Sequence, residues 1–245
     1  MEACPVLLVH GFASSAEHNW GRPGWLDLLA DSGRETIAVD LLGHGRAPRP
    51  TTPACYADVE DRVAQAIAGR EPVDAIGFSA GAHVLLHLAT RNPARFRRLA
   101  LLGIGPALLD GTPDPGTPDP GTPSTPSTPV GTPGADAIIA ALEGEPDPDD
   151  THGLVFRRLA DGLGNDRAAL IAFLRRPQRP LAAADLARIS GPVLVVLGDK
   201  DPAGPGDRLV AAFPDARLVT LRGVDHFGTP ADVRCMEAVL SFLGA

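Results

Sequence analysis

The sequence predicts an α/β fold, a mostly parallel sheet of about six strands with helices on both faces and a small helical cap. Three observations lead there. Short apolar runs recur at residues 6–9, 36–41, 73–76, 98–102, 193–197 and 217–221, each the length of a single strand. Most gaps between them carry apolar residues at three- and four-residue spacing, the period of an amphipathic helix. Within the runs Val, Leu and Ile are nearly continuous rather than alternating with polar residues, as in parallel strands covered on both faces. With 245 residues, the chain suffices for one well-buried core and a small appended cap, and is short for two full domains.

Taken in order, the strand at 6–9 leads into His10-Gly11-Phe12, and a helix is expected over 25–31 before the strand at 36–41. A helical pattern over 59–68 returns the chain to the strand at 73–76. That strand runs directly into Gly77-Phe78-Ser79-Ala80-Gly81 and a further helical pattern over 82–90, followed by the strand at 98–102. Between 111 and 133 the chain reads GTPDPGTPDPGTPSTPSTPVGTP. Its closely spaced prolines remove backbone donors and its side chains offer no core, so a flexible insert is expected, able to span roughly 70 Å as polyproline II. Patterns at 136–142, 153–163, 167–175 and 181–189 read as helices. A helical excursion between two parallel strands is placed to cap their C-terminal ends, where open α/β sheets bind ligands. The expected division is a core from 1–110 and 190–245, an insert at 111–133 and a helical cap at 134–189. The final helix, about 231–243, carries Val233, Met236, Val239, Leu240 and Leu243 as one core-facing stripe and is expected to close the sheet edge.

A formal net charge of −8 argues against nucleic acid or an anionic membrane surface as the main partner. Lys200 is the only lysine among 22 basic residues, a composition bias to which no mechanism attaches. Cys4, Cys55 and Cys235 are scattered and odd in number, without disulfide-framework or metal-ligand spacing, which fits a reducing cytoplasm. No basic segment followed by a long apolar run opens the chain, and no window reaches the roughly 18 uncharged apolar residues of a membrane span. A soluble, cytoplasmic protein is expected.

The segment at 77–81 carries the clearest chemical signal. A strand that turns sharply into a helix holds its central residue in a strained conformation, and Gly77 and Gly81 give the chain room to pass close to itself. Such a turn pushes the Ser79 hydroxyl outward, and the following helix aims its N-terminal N–H groups at negative charge developing there. Taken alone, the pentapeptide also fits an ordinary Gly/Ser loop. Two more segments follow strands: Gly198-Asp199-Lys200-Asp201-Pro202 and Gly223-Val224-Asp225-His226-Phe227-Gly228. A hydroxyl is a weak nucleophile until an imidazole takes its proton, and the imidazole needs a carboxylate to hold its tautomer and stabilise its cation. Ser79, an acid and His226 can fill these roles, with Asp199 and Asp201 both candidates for the acid. Asp225 adjoins His226, but adjacency in sequence does not put a carboxylate on the imidazole, and it is read as a loop residue. His10 and His44 are expected to hydrogen-bond loops in place. His83 and His87, four apart, have the spacing of metal ligands, but no acidic partner completes a site and they are read as packed or surface residues.

In these ordered motifs the chain resembles the α/β-hydrolase superfamily, in its capped, esterase-like branch. His10-Gly11-Phe12 is similar to the family's oxyanion loop, Asp40-Leu41-Leu42-Gly43-His44-Gly45 to the loop after its next strand, and Gly77-Phe78-Ser79-Ala80-Gly81 to its nucleophile elbow. The resemblance spans the chain apart from the proline-rich insert. It implies Ser79 as nucleophile, His226 as general base and Asp201, which holds the family's position in the Gly-x-x-Asp pattern, as the acid, with Asp199 ordering the turn. It also implies an oxyanion hole from the backbone N–H groups of Phe12 and Ala80. The activity it implies is serine hydrolysis of an ester or related acyl bond in a small molecule, through an acyl-enzyme and without metal or organic cofactor.

The same triad serves carbon–carbon bond hydrolases and cofactor-free lyases or synthases, and the fold also hosts non-catalytic binding modules; these stand as alternatives. Most members begin with an extra strand pair, whereas here the His-Gly strand starts at about Pro5, so six strands are expected instead of eight. The sheet edge this exposes leaves monomer and homodimer both open. In the cap, Phe156, Leu159, Leu163, Leu170, Phe173 and Leu174 are expected to form an apolar underside, with Phe156 and Phe173 as substrate contacts. Arg157, Arg158, Arg175, Arg176 and Arg179 are read as solvated helix faces, with binding of an acidic substrate as the alternative.

Overall fold

The computed structural model describes residues 4–109, 135–144 and 151–245; the proline-rich insert expected at 111–133 lies outside them. Among the described residues the elements run β1 (Val6–Val9), α1 (Trp25–Asp31), β2 (Thr36–Val39), α2 (Val59–Ala66), β3 (Val73–Phe78), α3 (Ala80–Arg91) and β4 (Phe96–Leu102). Then come α4 (Ala135–Glu143), α5 (Thr151–Gly162), α6 (Arg167–Leu174), α7 (Ala183–Leu186), β5 (Val193–Gly198), α8 (Asp207–Val210), β6 (Ala216–Leu221) and α9 (Val233–Leu243). The six strands form one parallel sheet in the order β2-β1-β3-β4-β5-β6.

Because successive side chains of a strand point to opposite faces, the sheet divides its apolar residues between two cores. Leu7 and Val9 of β1, Leu99 and Leu101 of β4, and Val193, Val195 and Leu197 of β5 join α2, α3 and α8 on one face. Val6, Leu8, Ala100, Leu102, Leu194 and Val196 join α1 and α9 on the other. All residues of β1, β3 and β5 are buried, while the edge strands β2 and β6 keep exposed positions. Burial on both faces is why the inner runs are continuous in Val, Leu and Ile. The first core continues into the helices between β4 and β5 through Ile138, Phe156, Leu170 and Phe173.

One charge lies inside the sheet. Asp74 of β3 is fully buried and accepts from Arg34 Nη2 at 2.5 Å and from Arg97 Nε at 2.8 Å.

Two expectations about helices need correction. Helix α9 lies on a face of the sheet, packed on β5 and β6, rather than closing the edge. Its stripe consists of Cys235, Met236, Val239 and Leu243 with the partly buried Leu240 packed beside them, but not Val233, which sits in the first turn, where Asp232 caps the Arg234 N–H, and is 63% exposed. Over 181–189 only Ala183–Leu186 is α-helical. Leu181 instead makes a parallel bridge to Leu109, which holds the chain extended there.

Candidate active site

Ser79 lies between the last residue of β3 and the first of α3, with φ 51° and ψ −116°. A non-glycine residue in that region carries roughly 1–3 kcal/mol of strain, so its surroundings must over-determine it. They do. The Ser79 N–H donates to the Leu102 carbonyl on β4 at 2.8 Å, and the Ser79 carbonyl accepts from the His83 N–H at 3.1 Å. A Cβ on Gly77 would stand 2.8 Å from the Ala82 backbone, and one on Gly81 would collide with the carbonyl oxygens of Val9 and His10. The two glycines thus let β1, β3 and α3 meet with the serine at their junction.

The loops after β5 and β6 bring in an acid and a histidine. A Cβ on Gly198 would run into the Val224 carbonyl oxygen, and Lys200 N–H donates to that same carbonyl at 3.0 Å, so the two loops touch backbone to backbone. His226 Nε2 stands 3.0 Å from Ser79 Oγ, and His226 Nδ1 stands 2.9 Å from Asp201 Oδ2. The Asp201 side chain is fully buried and that of His226 is 17% exposed. Asp201 Oδ1 also accepts from the Ala203 N–H at 2.9 Å, which fixes the plane of the carboxylate. A carboxylate can only accept, so Nδ1 carries the hydrogen and Nε2 offers its lone pair to the serine hydroxyl. Asp199 instead accepts from the Gly223 N–H at 2.6 Å and ties the two loops together, while Asp225 accepts from the Gly228 N–H at 2.8 Å within its own loop.

The loop after β1 supplies the third part. His10 is fully buried; its Nδ1 donates to the Gly11 carbonyl at 2.7 Å and its Nε2 accepts from the Leu41 N–H at 3.0 Å, so the ring is neutral and links the loops after β1 and β2. Burial holds its pKa down at about 4. His44, likewise buried, donates from Nδ1 to the Leu42 carbonyl at 3.0 Å. Asn19 Oδ1 accepts from the Gly11 N–H at 2.9 Å. From the segment before α6, Asn165 Nδ2 donates to the Ala13 carbonyl at 2.9 Å and its Oδ1 accepts from the Gly45 N–H at 3.0 Å. Ala13 has φ 56°, a second strained residue beside the site. Among the described residues, neither the Phe12 nor the Ala80 N–H is taken up by a loop or turn carbonyl.

These parts open on one pocket of about 440 Å³, partly open to solvent, where Phe12, Ser79, Ala80 and His83 meet Ile138, Phe156, Phe173, Leu174 and Arg176 from the helices between β4 and β5. Phe12 packs against the rings of Phe156 and Phe173 at 5.6 and 5.8 Å between centroids. Among the described residues, no group of three or more His, Cys, Asp or Glu side chains gathers as a metal site, and no helix is long and apolar enough to cross a membrane.

A comparison with known families decides the affiliation: the alpha/beta hydrolase family matches across residues 6–236. The chain belongs to the alpha/beta hydrolase family. A pimeloyl-(acyl-carrier protein) methyl ester esterase of Neisseria meningitidis is 32% identical over 199 residues, covering 77% of this alpha/beta hydrolase and 74% of that protein. A 2-hydroxymuconate semialdehyde hydrolase of Pseudomonas putida is 34% identical over 106 residues, 42% of this chain, and the match spans only 37% of that relative's length. Among solved structures, an esterase from Exiguobacterium antarcticum superposes with a TM-score of 0.74 at 18% identity, covering 100% of this chain and 94% of that one. The 2-hydroxy-6-oxo-6-phenylhexa-2,4-dienoate hydrolase of a Rhodococcus strain gives 0.69 at 21% identity, covering 99% and 90%. At such identities the two structures speak for the fold alone.

In this alpha/beta hydrolase the structure brings Ser79, His226 and Asp201 into hydrogen-bonding contact and puts Phe12, Ala80, Phe156 and Phe173 around the same pocket. Of the expected apolar underside, Leu170 and Leu174 are buried and Leu159 packs against the core, while Leu163 is half-buried and stands outside that cluster. Sequence reasoning missed Asn165, and it left His83 and Arg176 outside the pocket. Asn165 carries no local signal, since its partners lie 120 and 152 residues away. For His83 a signal was present: it falls one helical turn after Ser79, on the same face of α3.

Proposed function

We propose that this protein is a serine hydrolase that cleaves an ester or related acyl bond of a small molecule through an acyl-enzyme, with the helices between β4 and β5 acting as its cap. The observation that carries this reading is the unbroken line from Asp201 through His226 to Ser79, with links of 2.9 and 3.0 Å, opening on a pocket. Asp201 holds the Nδ1–H tautomer, so Nε2 takes the Ser79 proton as Oγ bonds to the acyl carbon. The carbonyl electron pair moves onto oxygen, where the Phe12 and Ala80 N–H groups receive it. As this adduct collapses, the bond to the alkoxide breaks and His226 returns the proton to it. Water then repeats the sequence on the acyl-enzyme, releasing the acid and restoring Ser79. Each oxyanion donor of this kind contributes roughly 100- to 1,000-fold to turnover. None of these steps calls for a metal or an organic cofactor.

An ester is favoured over a carbon–carbon bond because the longer alignment, over 77% of the chain, is to the methyl ester esterase. The proposal includes a soluble cytoplasmic enzyme, monomeric or homodimeric, in line with the charge of −8 and the three scattered cysteines. A fluorophosphonate probe tests the reading. Mass spectrometry should find the label on Ser79 and none on the Ser79→Ala protein, and His226→Ala should slow labelling by at least roughly 1,000-fold. Folded wild-type protein that resists the probe and turns over no member of an ester and thioester panel refutes it.

A further inference from the structure

Arg176 follows the end of α6 and lines two spaces at once: the pocket over Ser79 and an adjoining surface groove of about 660 Å³ that also includes Glu60 and His87. Its guanidinium carbon stands 3.9 Å over the Phe173 ring. Nη1 donates to the Phe173 carbonyl at 2.6 Å and Nη2 reaches Gln178 Oε1 at 3.4 Å, so of five donors two have a protein acceptor among the described residues. Three neighbouring arginines are paired. Arg175 meets Glu143 at 2.7 Å, Arg179 meets Asp185 at 3.3 Å, and Arg167 meets Asp161 at 2.6 Å. Arg176 has no carboxylate in contact among the described residues, and Glu60 acts on it through space alone.

Burial lowers the Arg176 pKa to about 10, so it stays a cation at neutral pH, in surroundings that strengthen a charge–charge contact. Stacking on Phe173 fixes the plane of its fork, the geometry that suits a carboxylate. A role in closing the C-terminus of α6 accounts for the Phe173 carbonyl but not for the position on the pocket wall. The remaining wall is apolar at Phe12, Ile138, Phe156 and Leu174, and its other titratable group, His83, is kept neutral by burial, which lowers its pKa to about 4.

We infer that Arg176 binds a carboxylate on the substrate, remote from the bond that is cleaved, so that half-esters of dicarboxylic acids or esters of hydroxy acids are preferred over neutral esters. The cleavage part rests on the proposed hydrolysis at Ser79; the recognition part does not. Monomethyl glutarate carries the carboxylate on the acyl half and 3-acetoxypropanoate on the alcohol half, and their primary amides are matched neutral probes. Affinity is measured by calorimetry on the full chain carrying Ser79→Ala, where the ligands stay intact, and kcat/KM on the chain with Ser79 present. Arg176→Met keeps the stem over Phe173 and deletes the charge. Arg176→Gln is a second neutral variant, and Arg176→Lys keeps the charge without the fork.

The acid should be preferred over its amide by roughly 10-fold or more in at least one pair, and the preference should fall by roughly 10- to 100-fold in both neutral variants and survive in part in Arg176→Lys. A structural role would weaken acid and amide alike and leave the ratio unmoved. Equal binding of acid and amide by the Ser79→Ala protein, or an unchanged ratio in the neutral variants, overturns the inference. Esters cleaved without an Arg176-dependent ratio refute the anion site alone, whereas anion-selective binding without cleavage refutes the hydrolase reading alone.

Discussion

Replacing Asn165 by alanine should slow acyl transfer more than it weakens substrate binding. The residue is 8% exposed and its side chain joins three segments: it donates to the Ala13 carbonyl at 2.9 Å, approaches the Ser14 carbonyl at 3.4 Å and accepts from the Gly45 N–H at 3.0 Å. Two neutral hydrogen bonds contribute about 1 kcal/mol each, and stranding the buried Ala13 carbonyl adds to that, for a total of about 2–4 kcal/mol. Ala13, held at φ 56°, then has less to keep it strained, and the neighbouring Phe12 N–H loses its aim. Deleting an oxyanion donor costs roughly 100- to 1,000-fold, so a loosened one should cost about 10-fold or more in kcat. The assay is steady-state hydrolysis of an ester, with active sites counted by fluorophosphonate titration and stability read from urea midpoints. Asn165→Asp, which keeps the acceptor for Gly45 but sets a carboxylate oxygen against the Ala13 and Ser14 carbonyls, should lose at least as much as alanine. If Asn165→Ala loses stability yet keeps kcat within about twofold, the link from Asn165 to Phe12 is wrong.

Gly81→Ala should destabilise the fold by about 3 kcal/mol or more and abolish probe labelling, since its Cβ would press on the Val9 and His10 carbonyls; a soluble, labelled Gly81→Ala protein would contradict the close-approach argument. Asp74→Ala strands Arg34, which is 6% exposed, inside the sheet and should cost about 3–5 kcal/mol in urea unfolding. Acid should weaken the fold before the carboxylates titrate. His10 has its pKa lowered from 6.5 to about 4 by burial, so below pH 6.5 the unfolded chain binds a proton that the native chain refuses, and stability falls as pH falls towards 4. The loss from His10 is about 2 kcal/mol by pH 5. His44 adds to it, since burial lowers its pKa well below 6.5 and its Nε2 is buried with no partner among the described residues. A urea midpoint unchanged between pH 7 and pH 5 would overturn this.

What could be read in the sequence was whatever the local chain decides. The inner strands declared themselves because both faces are buried, and the turn at Ser79 because two glycines flank it at positions where a Cβ meets backbone. Even the choice between Asp199 and Asp201 rested on a position within one turn, and the structure puts Asp201 on His226 and Asp199 on Gly223. What escaped depends on contacts between distant segments. Leu181 is apolar and followed by alanines, a good helix start, until Leu109 takes it as a bridge partner. Asn165 and Arg176 are ordinary loop and helix-end residues by composition, and the first acquires its partners, the second its place on the pocket wall, only when the helices between β4 and β5 lie over the loops after β1 and β2.

The touching loops after β5 and β6 give the site an asymmetry of mooring. Asp201 and His226 are fastened to each other's loops within the core, by backbone contacts through Gly198, Lys200 and Val224 and by the Asp199 side chain on the Gly223 N–H. The Phe12 side, held from within by Asn19 and His10, has a further tether from outside the sheet, Asn165. Anyone grafting a foreign set of helices between β4 and β5 to change specificity would therefore inherit the Asp201–His226 contact intact but lose one brace on the loop that carries Phe12. A successful chimera would need an amide replanted at the position of Asn165.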